Sequence, residues 1–97
     1  MMQPQRKVAL FQAGHIVGTP GAFEALDRAQ ADPMVYLQRH LTGDWGDLDA
    51  EDTRANDQAV LDGTRILSAY TLPDETKIWI ITEWDRSVTT FLLSSEY

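Results

Sequence analysis

From Thr64 onward polar and apolar residues alternate with a period of two, and this pattern constrains the fold more than any other feature of the chain. Arg65–Leu72, Lys77–Trp84 and Val88–Leu93 are rich in Ile, Leu, Val, Thr and aromatics, the residue types that suit a pleated, half-buried surface. The separators Pro73-Asp74-Glu75-Thr76 and Asp85-Arg86-Ser87 are turn-type clusters, and their brevity predicts an antiparallel meander. The middle run places Ile78, Ile80 and Thr82 on one face and Trp79, Ile81 and Glu83 on the other. Apolar residues on both faces suit a central strand with one face against helices and the other partly covered. Trp84, at the end of this run, is expected to pack within the second hairpin.

The first two thirds of the chain carry helix signals instead. Thr19-Pro20 and Asp32-Pro33 each join a capping side chain to a proline at the first helical position, where its missing N–H costs nothing. They predict a helix from Pro20 to about Ala29 and a second from Pro33 that stops at Thr42-Gly43. Asp49 caps a third helix, Ala50 to Asp62, with Gly63 as its C-terminal stop. The apolar stripe of this third helix is thin: Ala55, Ala59 and Val60 on one side, Ala50 and Leu61 on another. Either Val8–Phe11 or His15–Gly18 forms a short strand, or both are pieces of one strand bent at Gly14. Met1–Lys7 is polar and expected to be flexible.

Runs of helices followed by runs of strands predict an α+β domain. The expected architecture is three short N-terminal helices on a three-stranded antiparallel meander, with the N-terminal strand available to join an edge. Ninety-seven residues fit one small domain, residues 1–97. Without cysteine there is no disulfide framework and no thiolate metal site. No apolar run approaches the ~18 residues of a membrane span, and Val8–Phe11 is too short for a secretory signal. A cytoplasmic protein without a membrane partner is the expectation.

Charge is concentrated. Between Asp44 and Asp62 seven acids face the single base Arg54, whereas the rest of the chain holds eight acids and seven bases. With a net charge of −7, direct nucleic-acid binding is disfavoured. A protein partner with a basic groove is the functional reading of this segment, and a solvated helix face is the bland one. The candidate partner-binding residues are Asp44, Trp45, Asp47, Asp49, Glu51 and Asp57. Trp45, between two glycines, is either a contact for a partner or a cover for the edge of a small core.

Other chemistries are weaker. Asp47, Asp49 and Glu51 resemble the opening of a calcium loop, but Asp52 stands where that loop needs glycine and Gln58 where it needs glutamate. His40 with Asp44 and Asp47 is the alternative, a small metal site able to support hydrolysis. The bland reading of His40 is a helix C-terminal histidine favoured by the dipole. The serines lack a nucleophile-elbow context, and Gly14, Gly18 and Gly21 miss the dinucleotide spacing. No catalytic set and no cofactor are expected.

Three stretches carry a resemblance: Ile16-Val17-Gly18-Thr19-Pro20-Gly21-Ala22, Gly43-Asp44-Trp45-Gly46-Asp47-Leu48, and the strand segments from Leu67 to Thr90 with Lys77-Ile78-Trp79-Ile80-Ile81-Thr82-Glu83 at their centre. Together they resemble a family of small bacterial proteins labelled plasmid-related, carried on plasmids and integrative elements. The family has no assigned activity and transfers no residue roles. It implies a context of mobile DNA, where small acidic inhibitors of restriction or CRISPR systems are common. The leading expectation is therefore a non-enzymatic accessory factor of mobile elements that binds a protein and inhibits a host defence or nucleic-acid-binding system. A homodimer pairing exposed strand edges is a further option.

Overall fold

A computed structural model describes residues 8–97; the expectation for Met1–Lys7 lies outside the described residues. The element order is β1 (His15–Gly18), α1 (Pro20–Arg28), α2 (Pro33–Leu41), α3 (Ala50–Asp62), β2 (Ile66–Thr71), β3 (Lys77–Thr82), β4 (Val88–Leu93) and a terminal 3₁₀ turn, Ser94–Glu96. Each helix starts where its capping residue dictates. Thr19 Oγ1 accepts from the Ala22 N–H at 3.0 Å, Asp32 Oδ1 from Met34 at 2.9 Å and Asp49 Oδ1 from Asp52 at 2.8 Å. These bonds satisfy N–H groups that have no intrahelical acceptor. Gly63, left-handed at φ 70°, ends α3, a conformation that glycine adopts without the steric cost of a Cβ.

The fold is α+β, but its sheet is four-stranded and mixed, in the order β1-β4-β3-β2. The expected three-stranded antiparallel meander is thereby corrected. β3 runs antiparallel to both β2 and β4, whereas β1 lies along β4 in parallel, with His15 opposite Val88 and Gly18 opposite Phe91. Parallel neighbours need a long crossover, and the three helices between β1 and β2 supply one. Val8–Phe11 is not a strand. It crosses the helical side, where the Leu10 N–H donates to the Leu41 carbonyl and Phe11 packs into a core. Trp84 is also corrected: β3 ends at Thr82, which leaves the indole in the turn and 66% exposed.

One face of the sheet is the floor of both cores. Tyr70, Ile78, Ile80 and Phe91 pack against Ala22, Ala25 and Leu26 of α1 and Tyr36 and Leu37 of α2. Nearer α3, Ile66 packs with Trp45 and Ala59, flanked by Phe11, Leu48 and Val60. The opposite face carries Leu67, Ala69, Trp79, Ile81, Thr90 and Leu92, and none of these joins either helix-packed cluster.

The β2 edge is closed by side chain and backbone in turn. The Asn56 amide of α3 donates to the Leu67 carbonyl at 2.6 Å and accepts from the Leu67 N–H at 3.3 Å. Two residues on, the Ala69 N–H donates to the Trp45 carbonyl at 3.1 Å, and the Asp47 N–H donates to the Ala69 carbonyl at 2.7 Å. Gly46, at φ 79°, lets the loop come this close, because a Cβ there would collide with the Ala69 carbonyl and the Tyr70 ring. Covering an edge removes a template for pairing with other chains. Asn56→Ala leaves two backbone groups of Leu67 without partners, so it is expected to cost about 2 kcal/mol in urea unfolding and to speed exchange of the Leu67 amide. A loss below about 0.5 kcal/mol would show that water replaces the amide freely at this edge.

Candidate functional site

The residues singled out in the acidic segment separate into two groups. Four of the carboxylates hold the fold. Asp44 forms an ion pair with Arg39 at 2.7 Å, part of a contact in which Arg39 also lies over the Tyr70 ring, 4.6 Å from its centroid. Hydrogen bonding to Asp44 raises the Arg39 pKa. Asp47 Oδ2 accepts from Thr71 Oγ1 at 2.6 Å, Asp49 caps α3, and Asp57 Oδ1 accepts from the Trp45 indole N–H at 2.9 Å. Trp45 itself is 3% exposed. Of the two readings of Trp45, the cover of a small core holds and the exposed partner contact does not: the indole fills a core, because the glycines on either side allow the backbone to turn it inward and Asp57 satisfies its N–H.

Glu51 and Asp52 differ. Both are exposed in the first turn of α3, and neither carboxylate is paired with a side chain among the described residues. Acids here are favoured by the helix dipole, which accounts for their place without occupying their outward oxygens. Asp52 also lines a cleft of about 300 Å³, together with Leu48, Ala55, Asn56, Leu67, Ala69, Trp79 and Tyr97. The cleft lies where α3 flanks the second face of the sheet. Its outer wall is aromatic: the Tyr97 and Trp79 ring centroids are 4.8 Å apart, and Arg65 donates to the Tyr97 hydroxyl while its guanidinium lies 5.5 Å from the ring centroid. Asp52, Trp79 and Tyr97 were not among the residues the sequence nominated. The apolar residues on both faces of β3 were the signal for Trp79; Tyr97 had none, because only the terminal turn brings it back over the sheet.

The proposed metal residues do not converge. His40 is fully buried, with Nδ1 2.6 Å from Ser68 Oγ and Nε2 2.9 Å from Thr82 Oγ1, so both ring nitrogens are taken by hydroxyls rather than aimed at Asp44 or Asp47. Among the described residues no group of three His, Cys, Asp or Glu side chains is placed to hold a metal ion. The proton positions follow from a chain of single donors. Thr89 Oγ1 donates to the Ala13 carbonyl at 2.7 Å, so its 2.7 Å contact with Thr82 must be donated by Thr82. Thr82, its proton spent, accepts from His40 Nε2–H, and Nδ1 accepts from Ser68. His40 is therefore the neutral Nε2–H tautomer. Burial, and secondarily the positive charge of Arg86, lower its pKa to about 3; desolvation outweighs any benefit to a cation at the end of α2.

A hydroxyl donating to a histidine is the geometry of a nucleophile and its base. Here Ser68 and His40 are both fully buried, and neither lines the cleft, so the pair cannot meet a substrate in this conformation. No helix among the described residues is long and apolar enough to cross a membrane. Comparison of the chain with protein-family models, curated proteins and solved structures finds no match.

Proposed function

We propose that this protein is a non-enzymatic binding factor that engages a basic surface of a protein partner through the first turn of α3. The observation that carries this reading is the division of the acids: Asp44, Asp47, Asp49 and Asp57 are tied to the fold, while Glu51 and Asp52 stand exposed beside an open cleft with no side-chain partner among the described residues. A role as an acidic accessory factor of mobile genetic elements, inhibiting a host defence or nucleic-acid-binding system, fits a surface of this charge and belongs to the same proposal.

The test compares wild type with the Glu51→Lys, Asp52→Lys double variant. Both positions are exposed, so the folded circular dichroism spectrum is expected to be kept, with a loss of about 1–2 kcal/mol in stability because lysines replace acids that the helix dipole favours. Electrostatic complementarity governs capture and specificity, so a partner retained from bacterial lysate by wild type is expected to bind the double variant about tenfold more weakly or not at all. Equal binding by both proteins would overturn the role of this surface. Reversal of Asp49 or Asp57 is a poor test, because each would break a cap or a core hydrogen bond.

A further inference from the structure

The open cleft beside Asp52 has a chemistry of its own. Its floor is the side of the sheet that the helices leave bare, Leu67, Ala69 and Trp79, and its walls are Leu48, Ala55 and Tyr97. Its volume, about 300 Å³, is at the lower end of the range for ligand pockets, roughly 300–1,000 Å³. The single carboxylate in the lining is Asp52, with Glu51 next to it in the same helical turn and Asp49 at the cap. Arg65, the base at the Tyr97 wall, is already held by the tyrosine hydroxyl and ring, and Arg54, the one base of α3, forms no ion pair with Asp52 or Glu51 among the described residues, so the acids outnumber the bases at the α3 rim.

We infer that the cleft between α3 and the open sheet face is a docking site for a protein segment in which an aliphatic side chain is flanked by lysine or arginine. The aliphatic group fills the space over Leu67, Ala69 and Trp79, and a neighbouring cationic head lies at Asp52 and Glu51. The apolar stem of lysine or arginine suits the same path, since such side chains lay their methylenes on apolar surface while the charge stays in water. Charge selects this occupant over an acidic segment, and the apolar floor selects it over a purely basic one. The inference rests on the protein-binding reading and supplies its anchor.

The experiment titrates the isotopically labelled protein by NMR with three short synthetic peptides. One has two central leucines flanked on both sides by lysines, the second replaces the leucines with glycines, and the third replaces the lysines with glutamates. The leucine–lysine peptide is expected to shift the amides of Ala55, Asn56, Leu67 and Ala69 and the Trp79 indole N–H. The glycine version is expected to bind about tenfold more weakly, the effect of losing partly buried aliphatic groups, and the glutamate version not at all. Ala55→Phe fills the cleft from an exposed position without altering charge and is expected to abolish the preference for leucine over glycine. Asp52→Asn is expected to weaken both lysine peptides.

Equal binding of the leucine and glycine peptides, unaffected by Ala55→Phe, would overturn the cleft while leaving a charge-based protein contact standing. Failure of every lysine peptide to shift the first turn of α3 would overturn both. Shifts at the cleft that grow with protein concentration alone, with a dimer in sedimentation, would assign the site to a second copy of the chain and overturn the basic-segment occupant.

Discussion

Trp45→Ala is expected to destabilise the protein by about 3–5 kcal/mol, the range for removing a large aromatic from a packed core. The indole is 3% exposed, stacks on Phe11 with a centroid separation of 6.3 Å and meets the His40 ring edge-on at 6.0 Å. It also fills the space between Ala59 of α3 and Ile66 of β2. The thin apolar stripe of α3 gives the helix few other attachments, so the cavity left by alanine is expected to loosen α3 as a unit. A domain of this size is typically stable by about 5–15 kcal/mol, and each kcal/mol lowers Tm by roughly 4–8 °C. The variant is therefore expected to melt well over ten degrees lower (about 3 × 4 °C as a minimum). Trp45→Phe keeps the stacking but removes the donor to Asp57, and is expected to cost about 1–2 kcal/mol. A Trp45→Ala protein with the wild-type Tm would show that the indole is a surface residue after all, and would restore it as a partner contact.

The parts of the fold governed by short-range chemistry were legible in the sequence. Thr19, Asp32 and Asp49 cap the helices they were expected to cap, and Gly63 terminates α3, because capping depends on residues two to four apart. The three C-terminal strands follow from period and turn residues, with Val88–Leu93 unchanged and the two before it trimmed by one or two positions at their ends. The direction of β1 was not legible. His15–Gly18 is four residues long, and a strand that short has the same period whether its neighbour runs parallel or antiparallel. Its orientation is set by α1, which follows it at once and packs against β4.

The candidate site was only partly visible for a related reason. Charge density located the α3 segment, but could not separate exposed carboxylates that accept a hydrogen bond from the fold from those with no side-chain partner among the described residues. Asp57 and Glu51 look alike in sequence and differ by which side of α3 they occupy. Trp45 and His40 both belong to the interior because a loop and a helix end converge on β2 and β3, a contact across 28 residues for His40 and Ser68. Tyr97 reaches Trp79 only through the terminal turn. Long-range closure of this kind leaves no local periodicity to find.

The protein is expected to lose roughly 2–3 kcal/mol of stability between pH 7 and pH 4.5, and His40 is the cause. In the unfolded chain this histidine takes up a proton near pH 6.5, whereas in the folded chain burial holds its pKa down to about 3. The unfolded state therefore binds more protons throughout the interval between those values. Stability contributed by neutral His40 is fully present above about pH 6.5 and is lost as pH falls toward 3, at about 1.4 kcal/mol per pH unit once the unfolded histidine is charged. Accepting a proton would place a donor on each ring nitrogen, forcing Ser68 to turn its own proton away from Nδ1 in a site with no water-exposed surface. Asp74, Asp85 and Glu96, whose pKa values are lowered by hydrogen bonds, act in the same direction from about pH 5 downward, where the unfolded carboxylates begin to protonate. In urea unfolding from pH 7 to pH 4.5 the part of the loss above about pH 5 therefore belongs to the histidine. His40→Gln, which keeps a donor and an acceptor but cannot titrate, is expected to be less stable at pH 7 and to show little change over the same range. Should that variant fail to fold, the wild-type imidazole gives the answer directly: its nitrogen shifts are expected to report the Nε2–H tautomer, unchanged down to pH 4.5. A His40 that titrates near pH 6 in the folded protein would sink both the donor chain running from Ala13 to Ser68 and the acid sensitivity derived from it.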